Sequence, residues 1–97
     1  MRAQDVADKR FMPTKFRNGY DQQEVDDLLA RIQVTLTVVE GSPVPTTGPL
    51  ATAKALRAAD VKSARFRSTK WREGYDQDQV DDFLDDVVNE LRRLGRD

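Results

Sequence analysis

Residues 16–29 read FRNGYDQQEVDDLL and residues 71–84 read WREGYDQDQVDDFL, so the chain states one unit twice at an offset of 55 residues. Aligned without a gap, Ala3 to Leu29 against Ala58 to Leu84 gives 16 identities in 27 positions, which marks a duplicated unit rather than a shared composition. The duplication constrains the fold because each unit has only about 40 residues, near the lower size limit for a self-sufficient core without metal or disulfide. A lone unit of this size would have to dimerise. Two copies on one tether can instead complete each other's interior.

Each unit reads as a short irregular or hairpin-like head followed by one helix. Gly19 and Gly74 break the chain, and the Tyr-Asp that follows places Asp21 and Asp76 where an N-cap belongs. Glu24 and Gln79 stand three residues further on, at capping-box spacing. Val25, Leu28, Leu29, Ile32, Leu36 and Val39 then recur at intervals of three and four, as do Val80, Phe83, Leu84, Val87, Leu91 and Leu94. Each helix thus carries one apolar stripe, and a stripe needs a partner. Asp26, Asp27, Asp81, Asp82, Asp85 and Asp86 lie beside it or opposite, as a solvated face.

The expected organisation is a first unit over residues 1–40, a linker over 41–51 and a second unit over 52–97. IQVTLTVV at 32–39 is rich in β-branched residues and alternates as a strand would. The repeat nevertheless assigns it to helix, because its counterpart VVNELRRL at 87–94 is plainly helical. GSPVPTTGPL at 41–50 has three prolines and two glycines and reads as a tether, and TAKALRAADV at 52–61 as a helical lead-in. A helix of about 18 residues is roughly 27 Å long. Ten extended linker residues reach about 33–36 Å, enough for the second helix to start beside the first and run parallel to it. An antiparallel pair needs less reach, so both directions are open.

The chain has no cysteine and no histidine, which removes disulfides, thiolate zinc sites and the commonest acid-base residue and metal ligand of enzymes. No glycine-rich phosphate loop appears, and the paired carboxylates sit on open helix faces, so neither catalysis nor a metal or cofactor is expected. No apolar run approaches the roughly 18 residues of a membrane span, and Met1 to Arg10 is too polar for a signal peptide, so the expected compartment is the cytoplasm. The net charge of −1 hides a segregation: Lys54 to Arg72 carries seven bases and one acid, Glu73 to Glu90 eight acids and no base. Lys62, Arg65, Arg67, Lys70, Trp71 and Arg72 interleave cations with an aromatic ring, as single-strand binders do. The acidic helix of the same unit would repel phosphate, and no nucleic-acid partner is expected.

The residues resemble a known family. Asp-Val, a phenylalanine five residues on, a basic-aromatic-basic triplet, then Gly-Tyr-Asp, Val-Asp and Leu-Leu or Phe-Leu are similar to the N-terminal domain of DivIVA, the bacterial division and pole-organising scaffold. The likeness is strongest to the small DivIVA-repeat proteins of actinobacteria. It covers Ala3 to about Leu36 and Ala58 to about Leu91, most of the chain outside the linker. The resemblance implies a mainly α fold: two tandem head-plus-helix units paired as a pseudo-dimeric parallel coiled coil with crossed hairpin loops at its N-terminal end. The pairing residues would be Val25, Leu28, Leu29, Ile32, Val80, Phe83, Leu84, Val87 and Leu91. The units would pair within one chain or between two. Carried over by position, Phe16 with Lys15 and Arg17, and Trp71 with Lys70 and Arg72, would be the loop tips that enter the membrane.

Those residues have a mechanism of their own. A ring flanked by cations suits a membrane interface, with the ring at headgroup depth and the cations toward anionic lipid. The competing reading has Phe16 and Trp71 capping the core at the helix starts. Phe11 and Phe66 are assigned to the core, and Tyr20 and Tyr75 to packing beside the helix starts. The expected function is a non-enzymatic scaffold module of cell division or polar growth. It would lie on the inner face of the membrane at septum or poles and meet division or cell-wall proteins. The alternative is a cytoplasmic protein-interaction adaptor without membrane binding.

Overall fold

A computed structural model of the chain describes residues 1–97. The elements run in two matching series. The first is helix α1 (Ala3–Asp8), strands β1 (Pro13–Thr14) and β2 (Gly19–Tyr20) and helix α2 (Gln22–Val39). After a four-residue turn of helix, α3 (Pro49–Thr52), the second series is α4 (Ala58–Ser63), β3 (Ser68–Thr69), β4 (Gly74–Tyr75) and α5 (Gln77–Arg93).

The heads are not hairpins. β1 pairs with β4 and β3 with β2, all antiparallel, and β2 meets β4 through Tyr20 and Tyr75, giving a four-stranded sheet in the order β1-β4-β2-β3. Every strand's partners belong to the other repeat. Being antiparallel to a common neighbour, β1 and β2 point the same way, so the loop over residues 15–18 crosses between parallel strands. The loop over 70–73 does the same.

This corrects the expected fold class. Helix makes up 53% of the residues and is joined to an antiparallel sheet in one compact α/β body, not a mainly α parallel coiled coil. The reason lies in what covers the stripes. The backbone of each long helix approaches the short helix of its own repeat more closely than it approaches the other long helix. Ala3 and Val6 of α1, and Ala58 and Val61 of α4, are buried in the same core as Val25, Leu28, Ile32, Leu36, Val80, Phe83, Leu84, Val87, Val88 and Leu91. Leu29 is half-buried against that core. The stripe is wide enough to face both neighbours, whereas a coiled coil needs a narrow seam facing one.

Helix ends fix the direction of the elements. Both long helices close with a glycine at positive φ, Gly41 at 72° and Gly95 at 76°. There the Ser42 amide donates to the Thr37 carbonyl and the Gly41 amide to the Val38 carbonyl, and likewise the Arg96 amide to the Leu91 carbonyl and the Gly95 amide to the Arg92 carbonyl, the paired hydrogen bonds of a left-handed cap. These ends receive the starts of the short helices. The Ala3 amide donates to Glu40 Oε2 at 2.7 Å, and the Ala58 amide to the Arg96 carbonyl at 2.7 Å. The Met1 ammonium meanwhile lies 3.4 Å from Glu90 Oε2, so the ends of α2 and α5 sit side by side and their starts share the sheet.

The tether is not free along its whole length. Pro49–Thr52 packs on α2, and Leu56 is fully buried, its amide donating to Thr35 Oγ1 at 2.9 Å. Beyond Thr52, which ends α3, the lead-in is helical only from Ala58. That return path explains IQVTLTVV. Val34, Thr35, Leu36 and Thr37 are all buried, so this end of α2 is covered on several faces and shows no simple helical period. The Thr35 and Thr37 hydroxyls donate to the carbonyls one turn back, Arg31 and Gln33.

Candidate functional site

The repeated motif Arg-x-Gly-Tyr-Asp-Gln-x-x-Val-Asp builds the end of the molecule where the sheet meets the helix starts. Asp21 and Asp76 cap α2 and α5, accepting from the Glu24 amide at 3.0 Å and the Gln79 amide at 2.9 Å. The reciprocal half of a capping box does not form. Glu24 Oε1 instead accepts from the Arg67 amide at 2.6 Å, and Gln79 Oε1 from the Met12 amide at 2.7 Å. Each N3 side chain therefore reaches into the other repeat.

The rest of the motif crosses in the same way. Arg17 pairs with Asp76 at 3.0 Å and Arg72 with Asp21 at 2.8 Å. The Tyr20 hydroxyl donates to Asp81 at 2.8 Å, and the Tyr75 hydroxyl to Asp26 at 2.9 Å. Gln22 and Gln77 donate to the Gly74 and Gly19 carbonyls. The duplicated polar residues are duplicated because each one's partner sits in the other copy. Sequence reasoning missed these bonds. The signal was the joint identity of tyrosine and of the first aspartate after valine in both units.

Electrostatics follow the contacts. The capping amides, of Glu24 and Gln79 respectively, and then the facing arginines hold Asp21 and Asp76 below the ordinary carboxylate value of 3.8. Partial burial, and then the bonded aspartates, push the Tyr20 and Tyr75 phenols up to about 12.

Above this network stand the two strand-connecting loops. Phe16 is 73% exposed and Trp71 75%, so neither ring caps the core. The Lys15 ammonium lies 5.7 Å from the Phe16 ring centre and that of Lys70 5.5 Å from the Trp71 ring centre, within cation–π range. Neither lysine has a carboxylate at ion-pair distance, whereas Arg17 and Arg72 brace the loop bases against the helix caps. Glu73 accepts from the Gln22 side chain at 3.1 Å. Because Arg17 and Arg72 fasten their loops to neighbouring helix starts, both tips occupy the same end of the molecule.

The remaining aromatic residues serve packing. Phe11 is buried against Tyr75 and edge-on to Phe83, and Phe66 is half-buried against Tyr20. No three acidic side chains converge as the ligands of a cation would. No helix is long and apolar enough to cross a membrane. Comparison with protein-family models, with curated proteins and with solved structures finds no match for this chain.

Proposed function

We propose that the chain is a non-enzymatic, DivIVA-like scaffold module that binds anionic membrane with its sheet-bearing end. Phe16 and Trp71 enter the headgroup region while Lys15 and Lys70 face lipid phosphate. The observation that carries this reading is the pair of large rings, 73% and 75% exposed, each beside an uncompensated ammonium. Folding gains nothing from holding such rings in water. One tip contributes about 1.5–3 kcal/mol from its ring and about 1 kcal/mol from its lysine, together a weak, millimolar-class interaction. Two tips on one rigid end act together, because the second binds at high effective concentration. The setting this implies is the inner face of a bacterial membrane during division or polar growth. There the rest of the surface is free to meet division or cell-wall proteins.

Co-sedimentation with vesicles tests the reading. The wild-type chain pellets with anionic vesicles and not with zwitterionic ones. Phe16→Ser or Trp71→Ser lowers the partition by about tenfold or more, and the double variant stays in the supernatant. A wild-type chain that does not pellet with anionic vesicles overturns the membrane reading. Equal pelleting of wild type and double variant overturns the role of the rings and leaves charge alone. Only the first result leaves the cytoplasmic adaptor as the standing alternative.

A further inference from the structure

Each short helix lies along its own long helix and leaves a groove, and the repeat places equivalent residues in both. The first groove, between α1 and α2, is floored by Val6, Phe11 and Leu29, and Pro49 and Leu50 of α3 form one of its walls. The second, between α4 and α5, has a volume of about 680 Å³, in the range of small-ligand and peptide clefts, with Val61, Phe66, Leu84 and Val88 at its floor. No linker segment walls this one. Its floor is also more apolar, because Val88 stands where the first groove has Gln33.

The rims differ in charge. Lys62 and Arg92 occupy positions equivalent to Ala7 and Thr37, and both are exposed. Neither makes an ion pair, whereas the Arg65 guanidinium is committed to the Lys62 and Ala64 carbonyls and Asp81 to the Tyr20 hydroxyl. Asp85 is the one rim carboxylate without a partner. Two free cations thus face one free anion.

We propose that the α4–α5 groove is a docking site for a segment of a partner protein that mimics the chain's own Gly48–Thr52 turn. That segment is a proline-led apolar turn carrying an acidic side chain toward Lys62 and Arg92. The molecule displays the geometry of the occupant, since Gly48 with Pro49 at its helical start seats Leu50 beside the equivalent helix pair. Proline fixes the turn before contact, which lowers the ordering cost of binding. The groove lies along the helices rather than at the loop tips, so this inference does not rest on membrane binding.

The probe is the peptide DTGPLATA, residues 46–53 with Thr46→Asp, titrated into isotope-labelled full-length chain. The expected result is amide shift changes confined to Val61, Phe66, Leu84, Val88 and their neighbours, saturating below millimolar peptide. Lys62→Glu with Arg92→Glu, both on exposed side chains, weakens binding about tenfold and leaves the circular dichroism spectrum, the melting temperature and vesicle binding as in wild type. A peptide with glycine in place of Pro49 and Leu50 produces no shifts. Absence of shifts at millimolar peptide overturns the proposal, as do shifts centred on Val6 and Leu29, which would report displacement of α3. If dilution alone moves the same amides, a second copy fills the groove and the assignment to a foreign segment fails.

Discussion

Gly19 and Gly74 are glycines because of what faces them. Neither has a positive φ, but each lies opposite a threonine in the ladder, Gly19 with Thr69 and Gly74 with Thr14. A methyl on Gly19 would lie 2.9 Å from the Tyr75 carbonyl oxygen and closer still to Thr14 Oγ1, with the mirror-image clash at Gly74. Backbone atoms of the exchanged strands cannot yield as a flexible side chain would. Gly19→Ala or Gly74→Ala therefore costs about 1–3 kcal/mol, read as a lower urea midpoint with an unchanged slope. The Thr14 and Thr69 hydroxyls in this layer are buried without a hydrogen-bond partner. Thr14→Val and Thr69→Val are accordingly neutral or stabilising, since an isosteric methyl removes a desolvated group. The facing tyrosines make a different prediction. Their phenols ionise near 12 in the folded chain against an ordinary 10.0, so the native state holds these protons longer than the unfolded state does. The stability they contribute is complete below about pH 10 and declines as pH climbs toward 12. Phenolate absorbance should rise together with loss of helix in that window, and Tyr20→Phe with Tyr75→Phe should remove this part of the alkaline decline. Asp21 and Asp76 work in the opposite direction. Their lowered values make a contribution that is present at neutral pH and lost as pH falls below about 3.8.

At the scale of elements, α2 shows how a helix accommodates a strand-like sequence. Thr35 is fully buried, donates to the Arg31 carbonyl and accepts from the Leu56 amide, so one hydroxyl satisfies a turn of helix and the returning tether together. Thr35→Val keeps the volume and leaves the Leu56 amide buried without an acceptor, at about 1–3 kcal/mol. For a domain of this size that is a melting temperature lower by about 4–8 °C per kcal/mol. Thr35→Ser should recover most of the loss, which a merely steric role for the side chain would not allow. What the sequence made legible divides along physical lines. The α5 stripe of Val80, Phe83, Leu84, Val87 and Leu91 was readable because one face of that helix is buried and the other is acidic. The Asp21 and Asp76 caps were readable because a cap is a local bond. Strands of two residues carry no alternation to read. Their exchange was hidden as well, since Glu24 at capping-box spacing looks the same whether it folds back on Asp21 or reaches across to Arg67. The exposed state of Phe16 and Trp71 was likewise undecidable from spacing, because a ring next to a helix start can pack on the core or turn out from it.

The whole molecule measures 42 × 29 × 19 Å with a radius of gyration of 13.4 Å, slightly extended against the roughly 12.5 Å expected for this length. Its long axis separates two kinds of end. One carries the sheet, the loop tips and the cross-repeat polar network. The other gathers the ends of α2 and α5, where the Met1 ammonium meets Glu90, and the Arg96 and Asp97 carbonyls accept from the first amides of α4. Because every strand finds its partners in the other repeat, neither half can form its sheet alone, and the tether makes a two-body association into a one-body fold. The intact chain should therefore sediment as a monomer of 11.0 kDa with a melting temperature independent of concentration. Cutting between Pro45 and Thr46, in an exposed stretch of the linker, removes no buried contact. It does replace an effective concentration of millimolar order with the bulk concentration. At micromolar protein that is a thousandfold change, about 4 kcal/mol, against a total stability of about 5–15 kcal/mol for a native domain. The cut chain should melt at a lower temperature than the intact chain, with a melting temperature that rises with concentration, and should lose helical circular dichroism only on dilution below the micromolar range. A melting temperature that does not change with concentration after the cut would mean that each repeat folds by itself, and the exchanged strands would then not be what holds the halves together.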